Sequence, residues 1–130
     1  MLFANLNTTN TKGFTLIELI AVMTILGIIT ALTVKKVVAI SYTAEQNALI
    51  QGLAELNARE KLTWTKIKLG DHGYQNDEEV WNAMDLYLGE KYLWNTPPDI
   101  NGGTLHFGFR SVTLKRSASK KEDAGRWSSL

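Results

Sequence analysis

An apolar run of 21 residues, FTLIELIAVMTILGIITALTV, constrains this chain more than any other feature. The run extends from Phe14 to Val34 and contains a single ionisable side chain, Glu18. As an α-helix it would be about 31 Å long, close to the ~30 Å hydrocarbon core of a bilayer. The pattern therefore predicts a transmembrane helix over residues 14–34.

Two other interpretations of this run are less favoured. The 96 residues that follow Val34 are too few to bury such a helix on all sides in a soluble protein. A secretory signal peptide has a shorter apolar region, ~7 to 15 residues, that ends at a small-x-small triplet. Here the nearest triplet is Ala39-Ile40-Ser41, and it lies beyond Lys35 and Lys36.

The helical pattern continues past the apolar run, because no Gly or Pro occurs between Gly27 and Gly52. Apolar residues recur on one stripe of this continuation, at Val38, Tyr42, Leu49, Leu53 and Leu56. We therefore expect one helix of about 48 to 56 residues. Its part over residues 35–69 is amphipathic and is expected to pack on a small head, residues 70–130.

A short helix is predicted at the start of the head. Asn76 is followed by three acidic residues, which is typical of a helix N-cap and first turn. Val80, Met84 and Leu88 then recur every four residues, and Gly89 ends the pattern.

Two strands are predicted further along. Leu105 and Phe107 alternate with polar residues, as do Val112 and Leu114, and the parity changes between the two pairs. A turn over residues 108–111 and a β-hairpin follow from this pattern. The expected fold class is α+β, with a long N-terminal helix packed through its membrane-distal half on a head of one helix and one hairpin.

Composition argues against a catalytic or metal site. The chain has no cysteine, two histidines and a net charge of +1, which excludes thiolate and multi-histidine metal centres and gives no field for nucleic acid. The acidic cluster at residues 77–79 with Asp85 is better explained by helix capping than by metal binding. Asp99, His106 and Ser111 form no recognisable catalytic motif. We expect no enzyme activity, no metal and no cofactor.

The segment Lys12-Gly13-Phe14-Thr15-Leu16-Ile17-Glu18, opening an apolar helix, resembles the signature of type IV prepilins and of type II secretion pseudopilins. The resemblance implies that residues 1–13 are a leader peptide whose charge is Lys12. It also implies that a prepilin peptidase cuts between Gly13 and Phe14 and methylates the new amino terminus at Phe14.

Glu18 is the predicted assembly residue. A carboxylate in hydrocarbon needs a partner, and the amine that cleavage creates at Phe14 is a cation at the same membrane level. The amine of an incoming subunit that meets Glu18 would be attracted by about 4 kcal/mol before desolvation, which would fix axial register. The resemblance also implies that Gly27 makes the helix flexible, whereas Lys35 replaces a proline found in many pilins.

The resemblance implies a structural filament subunit in the inner membrane, single-pass, with its head in the periplasm. The small head, the missing cysteine pair and Lys35 favour a pseudopilin. The alternative is a major or minor type IV pilus subunit, extracellular in the pilus, and a remote one is an anchored receptor or enzyme head. Expected partners are like or unlike pilin-like subunits, the prepilin peptidase, the inner-membrane assembly platform and the membrane, without nucleic acid.

Charge is segregated within the head. Residues 71–99 hold seven acids and one base, whereas residues 100–130 hold six bases and two acids. The two sets either neutralise each other within one head, or the acidic helix start of one head faces the basic hairpin or tail of the next. Under the second interpretation, Lys115 and Arg116 are both available to a neighbouring subunit.

Overall fold

The computed structural model describes residues 13–130. Its contacts form two compact units, of which the first ends at Ala39 and the second comprises Ile40–Leu130. The elements are α1 (Leu16–Lys68), α2 (Asp77–Ala83), β1 (Tyr92–Trp94), β2 (Gly102–Phe107), β3 (Arg110–Ser117) and β4 (Arg126–Ser129). The α+β class and the long N-terminal helix are confirmed.

Helix α1 has 53 residues, and its last turn carries Lys66 and Lys68 just before Gly70. The predicted apolar stripe is buried only in part: Leu49 and Leu56 are in the core, whereas Val38 and Tyr42 are exposed. Val38 belongs to the first unit, in which every described residue is exposed. The stripe therefore becomes a packing face only once it reaches the head.

Helix α2 begins as predicted. The Oδ1 atom of Asn76 accepts a hydrogen bond from the backbone N–H of Glu79 at 2.9 Å, and the acids at 77–79 occupy the first turn. Val80 is fully buried and anchors the helix to the core. An N-cap that accepts an otherwise free N–H is the contact that the sequence pattern predicts.

The helix ends at Ala83, however, so its predicted extension to Leu88 and Gly89 is wrong. Met84 already has an extended backbone. Side chains from elsewhere satisfy the carbonyl oxygens that a longer helix would use. Arg59 Nη1 donates to Asp85 O at 3.1 Å and to Tyr87 O at 2.7 Å, and Trp94 Nε1 donates to Leu86 O at 3.1 Å. These tertiary bonds replace the helical ones.

The sheet is antiparallel in the order β1-β2-β3-β4. Its central hairpin, β2 and β3, confirms the prediction, with Leu105 opposite Val112 in register. The turn contains Gly108 at φ 62°, a backbone conformation that glycine adopts without strain. The two flanking strands, β1 and β4, were not predicted.

Strand β4 is tied to α1 as well as to β3. Asn57 Nδ2 donates to the carbonyl of Trp127 at 3.0 Å, and the Trp127 N–H donates to Asn57 Oδ1 at 2.8 Å. The Trp127 indole is 1 % exposed and lies among the core residues. The polar end of the chain is therefore part of the folded head.

The core lies between α1, α2 and one face of the sheet. Its buried apolar side chains are Leu49, Leu56, Val80, Met84, Leu105, Leu114 and Trp127. Gly52 of α1 lets the sheet approach closely, since a Cβ there would lie 2.9 Å from the Tyr92 ring. The Tyr92 hydroxyl in turn donates to Ala48 O at 2.8 Å.

Candidate functional site

The candidate processing site lies immediately before α1. Gly13, Phe14 and Thr15 are non-helical and exposed, and α1 begins at Leu16. The Phe14 residue is 81 % exposed. Lys12 lies outside the described residues, as does the rest of the predicted leader before Gly13.

Glu18 closes a capping box with Thr15. Its Oε2 atom accepts from the Thr15 N–H at 2.8 Å and from the Thr15 hydroxyl at 2.9 Å. In return the Glu18 N–H donates to Thr15 Oγ1 at 3.3 Å. This reciprocal pattern satisfies donors at the start of a helix. Both bonds from Thr15 fall on a single carboxylate oxygen of Glu18.

Thr15 was not singled out from the sequence, although the signal was present. Ser or Thr followed three residues later by Glu, just before an apolar run, is the signature of a capping box. The partner predicted for Glu18 was the Phe14 amine that cleavage creates. In the uncut chain that nitrogen is a peptide nitrogen, and Thr15 is the residue that binds Glu18.

The apolar part of α1 satisfies its own polar groups. The hydroxyls of Thr24, Thr30 and Thr33 each donate to the carbonyl four residues earlier, at 2.7 to 2.8 Å. Among the described residues α1 is the one helix long and apolar enough to cross a membrane. Internally satisfied polar groups are what a hydrocarbon environment requires. The segment fits a single-pass membrane anchor.

Gly27 lies within the continuous helix. A Cβ at this position would meet no atom within 4 Å, so contacts inside the chain do not require a glycine there. Its predicted role in helix flexibility stays a prediction.

A second charged cluster lies inside the head and centres on Arg116. Its guanidinium binds Glu60 through Nε at 2.9 Å and Nη2 at 2.6 Å, and Asp77 through Nη1 at 2.8 Å and Nη2 at 2.7 Å. The side chains of Arg116 and Glu60 are both 0 % exposed. Glu60 also accepts from Trp127 Nε1 at 3.0 Å. The cluster joins α1, α2, β3 and β4.

Hydrogen bonding decides the ionisation of this cluster. Burial alone would raise the pKa of Asp77, but the bonds that its carboxylate accepts from Arg116 and Ser119 outweigh burial and lower that pKa from 3.8 to about 2. Burial alone would lower the pKa of Arg116, whereas its bonds to Asp77 and Glu60 raise it. Asp77 and Arg116 therefore stay charged at neutral pH.

This geometry corrects the expectation for Lys115 and Arg116. Lys115 is exposed, but Arg116 is buried and fully engaged within its own head, so the two do not form one basic surface. The reason is strand alternation, which places Arg116 on the same face of β3 as the buried Leu114. Part of the segregated charge is thus neutralised inside the subunit.

The other acidic residues do not converge on a site. Within residues 13–130, no group of three or more His, Cys, Asp or Glu side chains is placed to hold a metal ion. Asp77 is bound to Arg116, Asp85 binds the Tyr87 N–H at 2.9 Å, and Glu78 and Glu79 are exposed.

The residues considered as a catalytic triad have other contacts. His106 lies opposite Ser111 in the β2–β3 register. Asp99 Oδ1, however, accepts from the backbone N–H groups of Asn101 at 2.7 Å and Gly102 at 3.1 Å, so it caps the turn before β2.

Comparison with known proteins locates the family signal at the N-terminus. Residues 8–34 match the family model described as the prokaryotic N-terminal methylation motif. No curated protein and no solved structure matches the chain. The match covers the segment that contains Gly13, Phe14, Glu18 and Gly27. It implies processing by a prepilin peptidase and assembly into filaments with other pilin subunits. Over residues 8–34 the chain carries the prepilin-type signature of type IV pilins and pseudopilins.

Proposed function

We propose that this chain is a pseudopilin of a type II secretion system, a structural subunit that joins a periplasmic filament after removal of residues 1–13. The observation that carries the proposal is the methylation motif over residues 8–34, continuous with an apolar helix whose first turn contains Glu18. In this proposal residues 14–34 are the membrane and assembly segment. Residues 35–69 continue the helix, and residues 70–130 form a periplasmic head.

The choice of pseudopilin over pilus subunit rests on the head. The head is small, and the chain lacks the cysteine pair with which many pilins close their C-terminal region. Its C-terminal strand is held instead by β3 pairing and by Asn57. A chromosomal deletion separates the two functions: loss of exported hydrolases indicates a pseudopilin, whereas loss of surface pili with normal export indicates a pilus subunit.

Processing is tested by intact-mass measurement of the membrane-extracted protein. We expect the mature chain to begin at Phe14 and to carry one additional methyl group. Gly13→Ala is expected to slow cleavage and Gly13→Leu to block it, because a peptidase subsite that accepts glycine has little room for a side chain. Full-length chain in assembled filaments would contradict the proposal.

Glu18 is tested by Glu18→Leu. The change removes the insertion cost of a carboxylate, roughly 2.5 to 3.5 kcal/mol at mid-bilayer, together with the partner of the neighbouring amine. We expect normal membrane insertion and little protein in sheared filaments. Thr24→Leu is the matched control, since it also replaces a polar residue of the span and should leave assembly intact. Wild-type filament yield from Glu18→Leu would show that Glu18 has no assembly role.

A further inference from the structure

The tip of the β2–β3 hairpin carries an aromatic side chain that is almost completely exposed to solvent. Phe109 is 99 % exposed, and it is followed by Arg110, whose guanidinium carbon lies 3.9 Å from the centroid of the Tyr42 ring. Tyr42 is itself 57 % exposed. We refer to Tyr42, Phe109 and Arg110 as the hairpin-tip surface.

Arg110 forms no ion pair with a carboxylate among residues 13–130. Its Nη1 atom is shielded from solvent and has no hydrogen-bond partner within the described chain. The ion pairs found among residues 13–130 involve Arg59 and Arg116 but not Arg110. Stacking on Tyr42 uses one flat face of the guanidinium and supplies no carboxylate partner. Arginine and aromatic residues together are the side chains most enriched at protein interfaces.

A complementary surface lies elsewhere on the same head. A shallow depression of about 580 Å³ is lined by Gln75, Asn76, Glu78, Glu79, Asn82 and Ala83, and we refer to it as the acidic depression. Asp77 and Val80 point into the core, so Glu78 and Glu79 are on the outer side of α2. Neither carboxylate takes part in an ion pair among the described residues.

The two surfaces are at different levels along α1. The hairpin-tip surface packs at Tyr42, whereas α2 is held by the cluster at Glu60, 18 residues further along the helix. At 1.5 Å per residue the two levels are about 27 Å apart. One head therefore cannot bring its own Arg110 to its own Glu79. Complementary patches at different levels form a heterologous contact between copies, which generates an open filament when the rotation does not close.

We propose that the hairpin-tip surface binds the acidic depression of a second copy of this chain, with Phe109 covering the depression and Arg110 pairing with Glu78 or Glu79. The proposal rests on the proposed filament function and adds the head-to-head contact that sets the stagger between neighbours. In this contact the Arg110 side chain gains a carboxylate partner, the exposed Phe109 ring is covered, and Glu78 or Glu79 gains a cation.

Cysteine cross-linking in the full-length protein tests this contact directly, because the chain has no cysteine of its own. Ser111→Cys combined with Asn82→Cys leaves Phe109, Arg110 and Glu79 intact. After mild oxidation of sheared filaments we expect a ladder of covalent multimers, since each copy contributes both surfaces. Ser111→Cys with Lys121→Cys is the matched control and should give no ladder. Dimers alone, or no cross-link, would overturn the proposal.

Charge reversal gives an independent measurement. Arg110→Glu is expected to lower filament yield about tenfold, because an attraction becomes a repulsion of similar size. Arg110→Glu with Glu79→Arg should restore most of the yield, and Lys121→Glu, an exposed reversal in the β3–β4 loop, should have little effect. Equal loss from Lys121→Glu, or no rescue by the swap, would refute the pairing.

The same samples separate this proposal from the proposed function. Processing at Gly13/Phe14 and wild-type filaments without the ladder would leave the filament function standing and remove the contact. An Arg110→Glu defect without any cross-link would mean that another acceptor, such as an anionic lipid headgroup, uses the surface, and it would overturn the assignment to a second copy. An unprocessed chain without filaments would refute the proposed function itself.

Discussion

Replacing Arg116 by Met removes the centre of the buried cluster while keeping a side chain of similar length. The change deletes four bonds to the carboxylates of Glu60 and Asp77, and one to Ile100 O at 3.2 Å. Glu60 is then left fully buried, with the Trp127 indole N–H as its remaining partner in the cluster. Breaking a buried ion pair in this way costs about 3 to 5 kcal/mol of the free energy of unfolding.

The assay is urea unfolding of the full-length protein in a mild detergent, with tryptophan fluorescence as the readout of unfolding. The Trp127 indole N–H donates to Glu60, and the centroid of the Trp81 ring lies 5.4 Å from the guanidinium carbon of Arg116. The fluorescence therefore reports on this part of the head. Lys115→Met is the matched control, because Lys115 is the exposed neighbour on the same strand, and surface changes of this kind usually cost less than about 0.5 kcal/mol.

A second variant distinguishes two causes of the stability lost in Arg116→Met, the unpaired charge on Glu60 and the loss of packing around Arg116. Arg116→Met with Glu60→Gln removes the orphaned charge and keeps an acceptor for the Trp127 indole, so we expect it to recover about 2 kcal/mol of the lost stability. The reasoning is refuted if Arg116→Met costs no more than Lys115→Met, or if the Glu60→Gln change makes the double variant less stable still.

Two further predictions concern the head. The pKa of Asp77 is about 2 in the folded chain, and its ordinary value is 3.8. The carboxylate therefore contributes about 2 kcal/mol to the free energy of unfolding, which is fully present above pH 3.8 and is lost as the pH falls to 2. Asp77→Asn should remove this part of the pH dependence of unfolding. Gly102 has φ 135° and a Cβ there would collide with the Leu114 carbonyl, so Gly102→Ala should cost about 1 to 3 kcal/mol. Gly73→Ala, at φ 64° in open space, should lower the melting temperature less.

Features with a local cause were predicted well. The apolar run and the Asn76 cap can be recognised from residues close together in the chain, and α1, the start of α2 and the central hairpin appeared where expected. The capping box of Thr15 and Glu18 is equally local and was available to the same kind of reasoning.

Features with a distant cause were missed. The burial of Arg116 depends on Glu60 and Asp77, 56 and 39 residues away, and a charged residue in a strand is ordinarily exposed. The early end of α2 depends on Arg59 and Trp94, which satisfy the carbonyls after Met84. Such contacts exist only after the chain has folded, so no periodicity in the sequence carries them.

The short strand β4 forms one edge of the sheet, where a strand from a neighbouring head could pair. In the β3–β4 register Trp127 lies opposite Arg116, and its N–H and C=O are taken by Asn57 rather than by a strand. An open strand edge is a template for adding a strand from another molecule. The Asn57 side-chain amide binds the outward-facing N–H and C=O of Trp127, and a side chain offers no strand edge of its own. At Trp127 the Asn57 amide therefore leaves no free backbone group for a strand of another head, and a register slip of β4 by one residue would forfeit both bonds at once.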